Sequence, residues 1–186
     1  MLHFPRHVAF YSLPAHSTVV WEKHDTPIGP LMLGMVDDFV AYLSCITWPL
    51  EEHLARWQHI SPFLRIVHQN HAGAEVIEKL FSPAPWPDVK VAVNGTPFQR
   101  QVWQELPHIP VSETVTYGQL AARLNKPLAA RAVGSAVGAN RVGILIPCHR
   151  VLASNGKLGG FGWGPVWKEK LLAAEAKPAP PQRYAA

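Results

Sequence analysis

The residues best able to do chemistry stand together in the stretch ILIPCHRV, residues 144–151, where Cys148 is followed directly by His149 and Arg150. A cysteine attacks as its thiolate, and a histidine can take the thiol proton when a further residue orients the imidazole. Adjacent side chains on a strand point in opposite directions, so the pair can cooperate only in a turn or through a water molecule. The three branched residues that open the stretch predict a buried strand ending at Pro147, which permits such a turn. The alternative is a buried structural cysteine beside a surface histidine.

Capping signals predict three helices in the second half of the chain. TPFQ at residues 96–99 has the N-cap threonine, proline and glutamine of a helix start, and TYGQ at residues 116–119 repeats the capping box. NKP at residues 125–127 ends the second helix, and its proline begins a third, LAARAVGSAVGA, at residues 128–139. The last two helices are short and closely spaced, which is typical of a helix-turn-helix.

The third helix has an almost bare face. Ala130, Gly134 and Gly138 are four residues apart, although each glycine costs a helix about 0.8–1.0 kcal/mol relative to alanine. This spacing indicates that something large approaches the backbone closely. Close packing against another helix is one explanation. The neighbouring Arg131 and the basic character of this half of the chain favour an external partner such as DNA.

The first half of the chain predicts an α/β fold. TVVWEK, LMLGMV and FVAYLSCI have strand patterns, and EEHLARW and AEVIEKLF have the pattern of short helices. The proline-rich segment SPAPWP, residues 82–87, predicts a domain boundary. We therefore predict an N-terminal α/β domain over residues 1–87 and a mainly α-helical C-terminal domain, containing the helix-turn-helix, over residues 88–176. The Pro/Ala-rich residues 177–186 predict a disordered tail.

Composition excludes several classes of protein. No apolar run approaches the ~20 residues needed to cross a membrane, and the first residues lack the pattern of a signal peptide. The 2 cysteines cannot build a disulfide framework, so the reducing cytoplasm is the expected location. The 10 histidines show no ligand spacing, and we expect neither a metal site nor a cofactor.

The charge of the chain is divided unevenly. Residues 1–87 carry 5 Lys and Arg against 8 Asp and Glu, whereas residues 88–186 carry 12 against 5. The basic half contains Cys148. A basic surface attracts polyanions, of which DNA is the commonest, although charge alone equally fits a surface that only promotes solubility.

The motifs of the second half together resemble one family. An asparagine eight residues before the cysteine of PCHRV, the glycine-rich LGGFGWG and a helix ending in LLAAE are similar to the O6-alkylguanine-DNA alkyltransferases, the methylated-DNA–protein-cysteine methyltransferases. PCHRV is that family's signature. The resemblance is continuous from GTPFQRQVW, which begins at Gly95, to Glu175, and is weaker for TPIGPLMLG in the first half. This half of the chain also resembles the C-terminal methyltransferase part of the bacterial adaptive-response protein.

The resemblance implies repair of DNA by direct damage reversal, in which the methyl group of O6-methylguanine moves irreversibly and once to the protein. It implies that Cys148 is the nucleophile and acceptor, that His149 draws its proton through a water molecule, and that Glu175 holds the imidazole. The resemblance further implies that Asn140 braces the turn and that Tyr117 donates a hydrogen bond to N3 of the leaving guanine. The implied partner is double-stranded DNA containing O6-methylguanine, bound by a monomer with no cofactor and no membrane association.

The resemblance also implies base flipping, because a methyl group inside a duplex cannot reach a buried thiol. Arg131 is then the residue that fills the gap left by the flipped nucleotide. The other implied DNA contacts lie on or beside the bare helix face, namely Ala129, Ala130, Gly134 and Ser135. The implied base pocket is lined by Val151, Gly160, Phe161, Gly162 and Trp163.

Three pocket positions depart from the common pattern of the family. Phe161 stands where many members have tyrosine, and it keeps an aromatic wall without the hydroxyl. Gly162 stands where some members have serine. Trp163 stands where others have a small glycine, which predicts a narrow pocket that accepts methyl readily and benzyl poorly; a core aromatic is the alternative for Trp163.

Three other functions compete with methyl transfer. A binding protein of the same architecture recognises alkylated guanine without reacting, but such relatives lack the cysteine found at Cys148. A transcription regulator reads base edges with side chains, which Ala130, Gly134 and Gly138 do not offer. A cysteine hydrolase needs an oxyanion hole and a histidine delivered from elsewhere in the fold.

Overall fold

The first half of the molecule is built on a six-stranded sheet. The computed structural model describes residues 2–86 and 88–176, so the predicted tail at residues 177–186 lies outside the described residues. The strands of the sheet are β1 (His7–Tyr11), β2 (Thr18–Thr26), β3 (Gly29–Val36), β4 (Phe39–Cys45), β5 (Arg65–His68) and β6 (Asp88–Ala92). They lie in the order β1-β6-β4-β3-β2-β5. β2, β3 and β4 are antiparallel, whereas β1 pairs with β6 and β2 pairs with β5 in parallel.

The three central strands and the two helices of this half confirm the sequence prediction. Alternate side chains of β3 enter different cores, because successive residues of a strand point to opposite faces. Met32 packs with Trp57 of α1 (Leu50–Ile60), and Leu33 packs with Leu80 of α2 (Ala74–Phe81). The sheet is therefore covered by one helix on each face.

The sixth strand corrects the predicted domain boundary. β6 begins at Asp88, directly after the boundary at residue 87, yet it pairs with β1 over its whole length and with β4 at Val40 and Val91. Residues 88–92 therefore belong to the sheet. The proline-rich segment marked a connection between α2 and β6 and not the end of the sheet, because strand pairing joins segments that are distant in the sequence.

Four further helices build the second half: α3 (Pro97–Glu105), α4 (Tyr117–Arg123), α5 (Ala130–Gly138) and α6 (Pro165–Glu175). The capping boxes predicted at Thr96 and Thr116 are both formed, each with its glutamine three residues later. Pro127 does not begin α5 as predicted. It lies in a turn, and the helix begins at Ala130, with Ala129 as an N-cap that makes no side-chain hydrogen bond.

The helices and the sheet share a hydrophobic core. Val91 of β6, Trp103 of α3, Val133 of α5 and Leu171 of α6 belong to the same buried cluster. A short parallel ladder joins β7 (Val115–Thr116) to β8 (Val151–Leu152) beside it. Within the described residues, the longest apolar helices fall short of what is needed to span a membrane.

Candidate active site

The segment before Cys148 is a turn and not the predicted strand. Ile144 has a φ of 67°, a left-handed conformation that branched residues rarely adopt. The backbone N–H groups of Leu145 and Ile146 donate to carbonyls inside the same segment, so they are unavailable to a neighbouring strand. Only Val142 makes a bridge, to Leu43 of β4. The apolar residues are nevertheless buried, and burial is what the sequence pattern reflected.

Cys148, His149 and Arg150 form one turn of 3-10 helix after Pro147. This is the turn geometry that an adjacent Cys-His pair requires. All three side chains are buried, at 7%, 0% and 3% exposure. The turn places a thiol, an imidazole and a guanidinium inside the protein, where each needs a partner.

Asn140 connects α5 to this turn. Its amide Nδ2 donates to the carbonyl oxygen of Ile146 at 2.8 Å and to Sγ of Cys148 at 3.3 Å. Its Oδ1 accepts a hydrogen bond from the backbone N–H of Val142 at 3.0 Å. One side chain thus holds both ends of the segment that precedes the cysteine and touches the sulfur itself.

Burial raises the pKa of the Cys148 thiol, while the hydrogen bond from Asn140 and the charge of Lys168 act in the opposite direction. The resting cysteine is consequently a thiol at neutral pH. Its reactivity depends on a base that removes the proton as the sulfur attacks.

Glu175 fixes the orientation of the His149 imidazole. Its Nε2 lies 2.5 Å from Oε1 of Glu175, and because a carboxylate only accepts hydrogen bonds, Nε2 carries the proton. Nδ1 then has a free lone pair, and it has no hydrogen-bond partner among the described residues. Burial lowers the pKa of His149, against the effect of Glu175, so the imidazole is neutral and able to accept a proton at neutral pH.

Arg150 completes this network, and the sequence analysis assigned it no role. Its Nε donates to Oε2 of Glu175 at 2.9 Å and its NH2 group donates to Oε1 at 3.0 Å, while NH1 donates to the carbonyl oxygen of Ile109 at 2.7 Å. Burial tends to raise the pKa of Glu175, but the hydrogen bonds from His149 and Arg150 outweigh it and lower the pKa. The backbone N–H of Ser112 lies 3.4 Å from Oε2. Glu175 is therefore a carboxylate, and both of its oxygens accept hydrogen bonds.

Tyr117 reaches the same site from the start of α4. Its hydroxyl donates to the carbonyl oxygen of Gly160 at 3.4 Å. Burial and the nearby charge of Cys148 both raise its pKa, so the hydroxyl keeps its proton and remains a donor. A Cβ added to Gly134 would lie 3.8 Å from the Tyr117 ring, which places the bare face of α5 beside this residue.

The remaining base-pocket candidates lie in or next to the loop between β8 and α6. Val151 is fully buried in β8. The rings of Phe161 and Trp163 meet edge to face with centroids 5.2 Å apart, and Trp163 covers Gly143 so closely that a Cβ there would lie 2.0 Å from the indole. Trp163 thus packs on the turn that carries the nucleophile. Gly162 is exposed and has open space around its Cα.

The DNA-contact candidates lie at the N-terminal end and along the exposed face of α5. Arg131 and Ser135 are exposed, and Ser135 Oγ donates to the carbonyl oxygen of Arg131 at 3.3 Å; Ala129, Ala130 and Gly134 are half-buried. A Cβ on Gly138 would meet nothing within 4 Å, so this glycine is not required for packing against another described helix. The end of the bare face at Gly138 is accordingly accessible to an external partner, whereas Gly134 lies beside the Tyr117 ring.

Two buried basic residues were missed from the sequence. Arg150 is 3% exposed and Lys168 of α6 is fully buried. The position of Arg150 beside His149 was the only available signal, and nothing in the pattern of α6 separates Lys168 from its exposed neighbour Lys170. Among the described residues, no cluster of three or more His, Cys, Asp or Glu side chains is arranged to hold a metal ion.

Comparison with known proteins agrees with this geometry. Residues 97–177 match the family model of the 6-O-methylguanine DNA methyltransferase, DNA binding domain. A methylated-DNA–protein-cysteine methyltransferase of Salmonella typhimurium is 40% identical over 169 residues, which cover 83% of this chain and 94% of that protein. The regulatory protein Ada of the same organism is 54% identical over 85 residues, or 46% of this chain and 24% of that protein.

A solved structure shows the same fold. The crystal structure of Mycobacterium tuberculosis OGT in complex with DNA superposes with a TM-score of 0.71 at 34% identity, covering 84% of this chain and 92% of that chain. The similarity includes both the sheet and the helices, because the match extends over most of both chains. The chain therefore belongs to the methylated-DNA–protein-cysteine methyltransferase family.

Proposed function

We propose that Cys148 is the residue that accepts the methyl group when this protein repairs O6-methylguanine in DNA. The protein transfers the alkyl group from guanine O6 to a cysteine, as the family does, and acts on DNA. The observation that carries the assignment to Cys148 is its contact with Asn140 at 3.3 Å, beside the His149–Glu175 pair. Cys45, by contrast, is fully buried at the end of β4.

The reaction is a displacement at the methyl carbon. A bond forms between Sγ of Cys148 and the methyl carbon, and the bond from that carbon to O6 breaks. The thiol proton moves through a water molecule to Nδ1 of His149. The Nε2–H group of His149 stays hydrogen-bonded to the carboxylate of Glu175 throughout. The electron pair left on guanine is stabilised by the hydroxyl of Tyr117, which donates to N3. The thioether does not revert, so each molecule reacts once.

The proposed DNA interface is the helix-turn-helix formed by α4 and α5. Arg131 is exposed at the second position of α5, and Gly138 leaves the helix backbone open at the other end of the same helix. A minor groove can approach such a surface closely, while Arg131 enters the stack in place of the flipped guanine. We divide the chain after Ala92, so that the sheet remains whole and the DNA-binding region begins in the connection to α3.

We propose a monomer as the active form, because Cys148 contacts Asn140 and His149 contacts Glu175 within one chain. Cys45 and Cys148 are both free thiols, which supports action in the reducing cytoplasm. The proposed reaction uses only side chains and water, so it calls for no cofactor.

The proposed function is tested by the intact mass of the protein after mixing with excess duplex DNA that contains one O6-methylguanine. We expect a gain of one methyl group per molecule, mapped by peptide digestion to the peptide containing Cys148. An unmodified duplex is the control. Tight binding to the damaged duplex without a mass change would show that the pocket recognises the lesion but does not react.

Arg131→Ala is expected to slow repair of duplex DNA by about 10- to 100-fold, because the flipped state loses the side chain that fills the stack and flipping costs a few kcal/mol. The measurement is the single-turnover rate of methyl transfer from a duplex and from a single-stranded oligonucleotide. The single strand has no stack to fill, so its rate is expected to change little.

Arg65→Ala is the matched control for Arg131→Ala. Arg65 is an exposed arginine of β5, which lies outside the proposed interface of α4 and α5, so its removal changes the net charge equally. Equal losses in the two variants, or equal losses on duplex and single strand, would contradict the intercalating role of Arg131.

A further inference from the structure

Lys168 is a charged residue in a place where charge is costly. Its side chain is fully buried in the first half of α6, and among the described residues it makes no ion pair with a carboxylate. Taking an unpaired ammonium group out of water costs several kcal/mol. A lysine in such a position needs other hydrogen-bond acceptors, and the location of these acceptors indicates its role.

Two backbone carbonyls are those partners. Nζ of Lys168 donates to the carbonyl oxygen of Val151 at 2.5 Å and to that of Leu158. Val151 begins β8, directly after the turn that carries Cys148, and Leu158 lies in the loop that leads to Phe161. The ammonium group therefore ties the base-pocket loop to the strand that follows the nucleophile.

The charge of this ammonium group also acts on Cys148. Burial lowers the pKa of Lys168 to about 8, and a negative charge on Cys148 acts in the opposite direction. Reciprocally, the charge of Lys168 lowers the pKa of Cys148 and that of His149. Cys148 and His149 are the titratable groups that face it, and the ring of Phe161 lies 5.8 Å from Nζ. A thiolate on Cys148, once it forms, therefore compensates part of the charge of the buried ammonium group.

We propose that Lys168 is a positioning residue for methyl transfer, which fixes the base-pocket loop on β8 and stabilises the thiolate of Cys148 as it forms. The proposal rests on the proposed function of Cys148. It assigns two separable contributions to one side chain: hydrogen bonds that order the loop, and a positive charge that makes the sulfur more acidic.

Two substitutions separate these contributions. Lys168→Met removes both the charge and the N–H donors, whereas Lys168→Gln removes the charge and retains an amide that can donate to both carbonyls. Lys170→Met is the matched control, because Lys170 is exposed on the same helix and the substitution is the same.

The first readout is the rate at which iodoacetamide alkylates Cys148 between pH 6 and pH 10, followed by peptide mass. The charge of Lys168 lowers the pKa of Cys148, so both Lys168 variants are expected to move the midpoint of this profile upward by about one unit and to react about tenfold more slowly at pH 7. Lys170→Met is expected to match the wild type. A folded Lys168→Met protein with an unchanged midpoint would overturn the charge contribution.

The second readout is tryptic cleavage after Lys157, an exposed residue of the loop. We expect faster cleavage in Lys168→Met than in the wild type, and wild-type cleavage in Lys168→Gln. Equal cleavage in all the proteins would overturn the contribution to loop order.

The proposal stays testable if the Lys168 variants fail to fold. In that case the Nζ group of Lys168 is titrated by NMR in the wild type and in Cys148→Ser, with a higher pKa expected in the wild type because only the wild type forms a thiolate. Identical titrations would overturn the proposal. The alkylation and the NMR titration use no DNA. A negative result in either experiment is therefore distinguishable from a failure of methyl transfer itself.

Discussion

Cys148→Ala is expected to lose methyl transfer from O6-methylguanine completely, whereas Cys45→Ala retains it. The chain contains only these two cysteines, and only Cys148 contacts Asn140 and follows the turn beside His149 and Glu175. Burial raises the pKa of both thiols, but only Cys148 has a base next to it. The measurement is the intact mass of each variant after incubation with the damaged duplex.

The Cys148→Ala variant is also expected to keep its affinity for DNA. The exposed face of α5 and Arg131 do not contact the sulfur, so a duplex containing O6-methylguanine should still bind in a gel-shift or anisotropy assay. Retained binding separates loss of chemistry from loss of fold. Methyl transfer to the alanine variant would show that another residue accepts the methyl group, and the assignment of Cys148 would be wrong.

Glu175→Gln is expected to reduce the rate of methyl transfer by about 10²- to 10⁴-fold, the usual contribution of a positioned base. The amide of glutamine can donate to Nε2 of His149, which stabilises the tautomer with its proton on Nδ1. That tautomer cannot accept the thiol proton of Cys148. The measurement is the single-turnover rate at pH 7, with Glu169→Gln as the control, because Glu169 is an exposed carboxylate of the same helix.

The same substitution is expected to destabilise the protein by about 3–5 kcal/mol, because it leaves the buried guanidinium of Arg150 without its carboxylate. Urea unfolding of the wild type, Glu175→Gln and Glu169→Gln provides the free energies of unfolding.

The folded-state pKa of Glu175 is lowered, so its contribution to stability is present above the carboxyl pKa of the unfolded chain and is lost as the pH falls through the folded-state value. A Glu175→Gln protein with the wild-type rate would contradict the role of His149 as the base.

Local interactions explain the parts of the fold that could be predicted from the sequence. The capping boxes at Thr96 and Thr116 involve residues three apart, so their helix starts were visible in the sequence. The strands β2, β3 and β4 are neighbours joined by short turns, and their apolar patterns are strong. Pro147 permitted a turn at the adjacent Cys148 and His149, and the structure has one there, although the strand expected before it is absent.

Nonlocal contacts explain the parts that could not be predicted. The pairing of β6 with β1 joins residues about eighty positions apart, so a proline-rich segment between them was mistaken for a domain boundary. The apolar run 144–146 is buried as expected, yet its backbone hydrogen bonds close within a turn, and burial alone does not distinguish a turn from a strand.

The sequence by itself determined the family of this protein and the functional groups of its candidate site, because Cys148 and His149 are adjacent and their motif is specific. Only the tertiary structure decided how these groups are held. Glu175 reaches His149 across 26 positions, Arg150 turns inward onto the same carboxylate, and Lys168 is buried although Lys170 is exposed. The physical reason is that burial and charge pairing depend on which distant segments pack together, and such packing leaves no periodic trace in the chain.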